Sequence, residues 1–190
     1  MFLEPGLSPA NKVGWIEVIC GCMFSGKTEE LLRRVNRAKL ANLKAQLFKP
    51  SIDKRFHDTH VVSHDSRSAA SLAAGSSTFI LKEAGDAQVV GIDEAQFFDD
   101  KLVNTCDSLA SKGIRVIVAG LDMDYRGKPF GPMPAIMAIA EYVTKVNAVC
   151  MVCGELATHT FRKSRDESLI LLGEKDLYEA RCRKCFNEGM

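Results

Sequence analysis

The chain has 190 residues, 46% hydrophobic and 26% charged, with 25 Lys and Arg against 24 Asp and Glu for a net charge of +1. Such a composition fits one ordinary globular core with a small appendage and excludes disordered, collagenous and coiled-coil classes. A near-neutral chain has no global field to hold a nucleic acid or an anionic membrane, so neither is an expected partner.

Residues 1–12 hold two of the six prolines without apolar periodicity and read as a flexible leader. They lack the charged and apolar regions of an export signal, and the most continuous apolar run, Ile114 to Leu121, is broken by Arg115 and too short to span a bilayer. The expectation is a soluble, cytoplasmic protein. Trp15 to Cys20 is an apolar run ending at Gly21, and from Thr28 to Leu43 the residues Leu31, Leu32, Val35, Ala38 and Leu43 recur at helical spacing. That is strand, glycine turn, helix. Extended runs follow at Ala45 to Phe48, closed by Pro50, at Gln88 to Ile92 and at Arg115 to Leu121, with a helical pattern over Asp100 to Ser111. A helix over Pro134 to Tyr142 and a run Val143 to Val149 complete a nucleotide-binding unit placed at residues 13–148. Strands rich in Val, Ile and Ala that alternate with helices predict an α/β fold. Its parallel sheet is flanked by helices and has its ligand edge at the strand C-termini.

The character changes at residue 149. Cys150-Met-Val-Cys153 and Cys182-Arg-Lys-Cys185 bracket 28 residues rich in charge and hydroxyls. Residues 149–190 therefore read as a second, small module that is too short to fold on apolar burial alone and needs a cross-link. Two C-x-x-C turns supply the four thiolates of a tetrahedral zinc site, structural because no ligand position is left open. Disulfides and an iron–sulfur cluster are the alternatives, the first disfavoured in a reducing compartment and the second unsupported by any redox motif. Cys20, Cys22 and Cys106 read as buried small apolar residues. His57, His60 and His64 fit a polar loop better than a metal cluster.

Gly21-Cys22-Met23-Phe24-Ser25-Gly26-Lys27-Thr28 matches the P-loop pattern, between a predicted strand and a predicted helix. Its glycines let backbone N–H groups face phosphate oxygens, Lys27 reaches the β and γ phosphates, and Thr28 ligates Mg²⁺. Val89-Val90-Gly91-Ile92-Asp93-Glu94 delivers two carboxylates to the same edge. Asp93 can hold the Mg²⁺ through water and Glu94 can act as general base; the plainer alternative is an acidic cap on the next helix.

These motifs, together with Asp53-Lys-Arg55, Asp93-Glu-Ala-Gln-Phe-Phe98, Gly120-Leu-Asp122 and Lys128-Pro-Phe-Gly131, resemble the zinc-containing (type II) thymidine kinases from Trp15 to Cys185. The resemblance implies transfer of the γ-phosphate of ATP to the 5′-hydroxyl of thymidine, with Glu94 as base. It implies Asp53 and Arg55 at the phosphates and metal, with Asp93 and Gln96 also on the ATP side. It places Phe97, Leu121, Tyr125 and Thr160 at the nucleoside, under a lasso-like lid that brings Leu169, Ile170, Leu171, Leu172, Gly173 and Tyr178 over thymine. Tyr125 departs from the phenylalanine expected there. The resemblance further implies dTTP as feedback inhibitor and a homotetramer. The alternative is a nucleic-acid-stimulated ATPase with a zinc ribbon, since Asp93-Glu-Ala-Gln96 also spells a helicase-type box. The small net charge and the lack of an aromatic run with Arg and Lys count against it.

Overall fold

β-branched residues stack into strands with both faces covered, so the first strands are apolar without alternation. The computed structural model describes residues 13–52, 60–62, 68–164, 168 and 176–189. In chain order it runs β1 (Trp15–Cys20), α1 (Lys27–Leu40), β2 (Ala45–Pro50), β3 (His60–Val62), β4 (Ser68–Ala70), β5 (Leu72–Ala74), α2 (Ser77–Glu83), β6 (Val89–Ile92), α3 (Leu102–Ser111) and β7 (Arg115–Gly120). There follow α4 (Met133–Ile139), β8 (Tyr142–Lys145), β9 (Ala148–Val149), β10 (Leu156–Ala157), β11 (His159–Arg162), β12 (Tyr178–Arg181) and α5 (Arg183–Gly189).

Six strands form one sheet in the order β5-β2-β6-β7-β1-β8, every pair parallel. The predicted α/β architecture is therefore present, with all six strand C-termini along one edge. One face of the sheet packs Ile19, Leu47, Val89, Ile117 and Ala119 against Leu31, Leu32, Val35 and Ala38 of α1. The other packs Val18, Phe48, Val90, Ile92 and Val116 against Leu102, Cys106 and Leu109 of α3 and Ile136 of α4. Gly91 sits where α1 presses closest: a Cβ there would lie 2.8 Å from Leu47 Cδ1 and 3.0 Å from Val35 Cγ2.

Several boundaries differ from the sequence reading. The first helix stops at Leu40 because Asn42 takes φ +60° and the Leu43 N–H bonds back to the Ala38 carbonyl at 3.1 Å, while that of Asn42 bonds Lys39. This is a Schellman end in which Leu43 packs outside the helix, beside Ala38, instead of extending its apolar stripe. The predicted run Val143 to Val149 divides between β8 of the main sheet and β9, which pairs antiparallel with β10. The helix expected over Pro134 to Tyr142 ends at Ile139, leaving Tyr142 to start β8. The β3–β4 pair, β5, α2 and the β11–β12 pair were not predicted, since each is only three to seven residues long and none is a continuous run of Val, Ile and Leu. His60, expected in a loop, belongs to β3. Among the described residues no helix is long and apolar enough to cross a membrane.

One ion cluster lies inside the fold. Glu17, fully buried on β1, accepts from Arg34 Nη1 at 2.9 Å, from Arg115 Nε at 2.7 Å and from Trp15 Nε1 at 2.6 Å. Arg34 also bonds Glu30 at 2.8 Å and Thr144 at 3.0 Å, so α1, β1 and β7 meet at the Glu17 carboxylate and β8 joins them through Arg34. Glu17→Ala leaves two guanidinium groups buried without their shared partner, and removal of one side of such a cluster costs about 3–5 kcal/mol. Urea unfolding of the variant should show a loss of that size.

Candidate active site

The turn after β1 has a shape that depends on glycine and on strain together. Gly21 takes φ +148°, and a Cβ there would run into the Val146 carbonyl oxygen; Gly26 takes φ +83° at the start of α1. Phe24, which has a side chain, is also left-handed at φ +64°. Such a residue costs of order 1–3 kcal/mol and persists only where its surroundings over-determine it. The loop is closed on itself: Lys27 Nζ donates to the Cys22 carbonyl at 2.7 Å and Ser25 Oγ donates to the same oxygen at 2.8 Å.

β6 carries Asp93 to the same edge. Thr28 Oγ1 donates to its two carboxylate oxygens at 3.2 and 3.4 Å, and the Glu94 N–H donates to Oδ1 at 2.9 Å. Burial, and after it the charge of Glu94, pushes the Asp93 carboxyl up to about 7. A hydroxyl beside a buried carboxylate offers the hard oxygen donors that a magnesium ion takes, so these residues fit such an ion.

Glu94 itself is left-handed at φ +49°, opening a single 3-10 turn over Ala95–Phe97. That turn brings Gln96 back under it: Gln96 Nε2 donates to Glu94 Oε2 at 2.5 Å, and its Oε1 accepts from the Leu121 N–H at 2.9 Å. Gln96 is 3% exposed. A Cβ on Gly120 would stand 2.8 Å from its Oε1, and one on Gly131 would collide with its carbonyl oxygen. Gln96, expected on the ATP side, thus holds the Glu94 carboxylate and the start of the Leu121 loop. Sequence reasoning missed this because the two glycines that frame Gln96 are 24 and 35 residues away.

The expected nucleoside residues arrive from three directions. Phe97 meets Phe130 edge to face at 5.8 Å between ring centres. Thr160 of β11 accepts the Met23 N–H at 3.0 Å, and Cys22 Sγ donates to the Ala157 carbonyl at 3.4 Å, so the C-terminal module rests directly on the P-loop. The hydroxyl of Tyr125 accepts from Arg126 Nε at 2.8 Å, which gives the departure from phenylalanine a partner. Tyr178 is buried, its hydroxyl bonded to Arg162. Asp53, Arg55, His57, His64 and residues Leu169 to Gly173 lie outside the described residues, as do residues 1–12.

Comparison with known proteins decides the affiliation. The thymidine kinase family model matches residues 14–186. The chain belongs to the thymidine kinase family. A thymidine kinase of Bacteroides thetaiotaomicron is 53% identical over 186 residues, covering 98% of this chain and 94% of the relative. One of Bacteroides fragilis is 51% identical over 190 residues, covering 100% and 96%, and one of a Rhodothermus strain is 55% identical over 180 residues, covering 95% and 84%. No comparison supports the nucleic-acid-stimulated ATPase.

In this thymidine kinase family member the four cysteines of the C-terminal module converge. The Sγ atoms of Cys150, Cys153, Cys182 and Cys185 lie within 4.8 Å of one another, with Cys153 and Cys182 3.7 Å apart. A tetrahedron with zinc–sulfur bonds of about 2.3 Å has edges of about 3.8 Å, so the cluster fits a zinc ion. Cys20, Cys22 and Cys106 are buried, as read from the sequence, and Cys22 packs in one cluster with Cys150 and Cys185. Elemental analysis should find one zinc per chain, and Cys182→Ser should lose it and the order of the C-terminal module while the parallel sheet stays folded, read by hydrogen exchange.

Proposed function

We propose that this enzyme is an ATP-dependent nucleoside kinase that transfers the γ-phosphate of ATP to the 5′-hydroxyl of thymidine, making dTMP for deoxynucleotide salvage and DNA synthesis. The observation that carries the reading is the family match over residues 14–186. Lys27, Thr28, Asp93 and Glu94 at one sheet edge give that match its chemistry.

Residues 13–148 hold the nucleotide. The N–H groups of residues 21–28 cradle the phosphates, and Lys27 leaves the Cys22 carbonyl to reach the β and γ oxygens. Thr28 and Asp93 would hold Mg²⁺, which would supply positive charge against the phosphates. Asp53 and Arg55 join at the phosphates. The 5′-hydroxyl oxygen forms its bond to the γ phosphorus, the bond to the ADP oxygen breaks, and the hydroxyl proton passes to the Glu94 carboxylate. Gln96 keeps that carboxylate aimed. Residues 149–190, fixed by structural zinc, close over thymine with Leu169 to Gly173 and Tyr178, while Phe97, Leu121, Tyr125 and Thr160 line the base. Closure matters because water is an alternative acceptor for the γ-phosphate. The same reading makes the enzyme cytoplasmic and tetrameric, with dTTP as a feedback inhibitor.

Glu94→Gln should retain ATP binding and lose about 10²- to 10⁴-fold in kcat, the usual worth of a general base. A variant with near wild-type kcat refutes the assignment. Lys27→Ala should depress ATP turnover far more than thymidine affinity, because its ammonium addresses phosphates and never the base. Calorimetric titration of thymidine into the variant checks this; an equal loss of both would contradict it. ATP turnover with thymidine, with single-stranded DNA and with neither tests the reaction itself, and only thymidine should stimulate it.

A further inference from the structure

Arg162 is the last residue of β11 and is 6% exposed, a rare place for an arginine. Its Nε and Nη2 donate to the Tyr178 hydroxyl at 3.1 and 2.9 Å, and its Nη1 donates to the carbonyl of Ser168. The flat face of the guanidinium lies 3.6 Å from the centre of the Tyr125 ring. Arg162 and Tyr178 are also opposite one another in the antiparallel β11–β12 register.

One side chain thus touches three parts of the chain. It bonds Tyr178 across the β11–β12 pair, reaches the Ser168 carbonyl, and crosses to Tyr125 on the loop that follows β7. The two tyrosines it holds come from different modules and are the two placed against the nucleoside in the proposed function, on which this inference rests. We propose that Arg162 is a positioning residue for nucleoside binding: it locks the Tyr125 ring and the Tyr178 hydroxyl into one frame.

The contacts call for an arginine. A planar fork can place two N–H groups on one hydroxyl, a third on a carbonyl and its π-face on a ring at the same time. Lysine offers a compact point charge that can satisfy one of these partners well and gives a weaker stack. A role confined to folding predicts that loss of the fork lowers stability and harms ATP and thymidine use alike. A positioning role predicts a loss confined to the nucleoside, because neither tyrosine touches the phosphate loop through any contact that Arg162 supplies.

The test is steady-state kinetics of zinc-loaded Arg162→Lys and Arg162→Met, with Tyr178→Phe alone and combined with Arg162→Lys. Wild-type turnover of thymidine is the control. Arg162→Lys should raise the thymidine KM about tenfold, the loss of roughly one charge-assisted hydrogen bond, and leave the ATP KM within about twofold. Arg162→Met should raise the thymidine KM further. Tyr178→Phe should cost less in the Arg162→Lys background than in the wild type, since both changes remove the same contact. An unchanged thymidine KM in Arg162→Met overturns the inference, and so does a parallel rise of both KM values accompanied by loss of zinc or of the unfolding midpoint. Failure of the wild type to phosphorylate thymidine would overturn the proposed function and this inference together, whereas the other adverse outcomes leave the proposed function standing.

Discussion

β1 and β6 are separated by β7, so at a strand spacing of about 4.8 Å their backbones stand nearly 10 Å apart. They nevertheless start at the same level, because Trp15 and Val89 both pair with Arg115 in a parallel register. On that shared level rests the 3.2 Å contact between Thr28, just inside α1, and Asp93, just past β6. A slip of one residue in β6 would turn Asp93 to the opposite face of the sheet, toward α3, and the contact with Thr28 would be lost. The packing of α1 against Gly91 and the four-element cluster at Glu17 hold the same register from within, since both tie α1 to strands on either side of β7.

Strain collects where this edge is most crowded. Phe24 and Glu94 are left-handed residues with side chains, one in the phosphate loop and the other at the carboxylate suited to a base. Neither conformation is favoured locally. Each is held by neighbours distant in sequence: Phe24 packs on the cysteine-rich module, and Glu94 is bonded by Gln96, whose own place depends on Gly120 and Gly131 lacking side chains. A carboxylate kept in one orientation before substrate arrives needs no reorganisation at the moment of proton transfer.

The cysteine-rich module is no distant appendage. It touches the P-loop through Met23 and Thr160 and through Cys22 and Ala157, and it touches the loop after β7 through Arg162 and Tyr125. It brings four thiols together and takes its orientation from these contacts. The loop after β1 and the cysteine-rich module therefore share backbone and side-chain partners.

The P-loop, the strand that delivers Asp93 and Glu94, the paired cysteines and the parallel α/β architecture were all legible in the sequence, because each is encoded by residues close together whose spacing repeats the geometry. Periodicity failed where elements are too short to show a period, as in β5, α2 and the β11–β12 pair, and at Leu43, whose helical spacing serves a Schellman end. What only the tertiary structure decided are the contacts made across large separations. Gln96 turns to Glu94 and Leu121, Glu17 gathers Arg34 and Arg115, and Arg162 joins Tyr125 to Tyr178. No local pattern announces such partners, since which polar groups meet in a buried space depends on how whole elements pack, and packing is a property of the assembled chain.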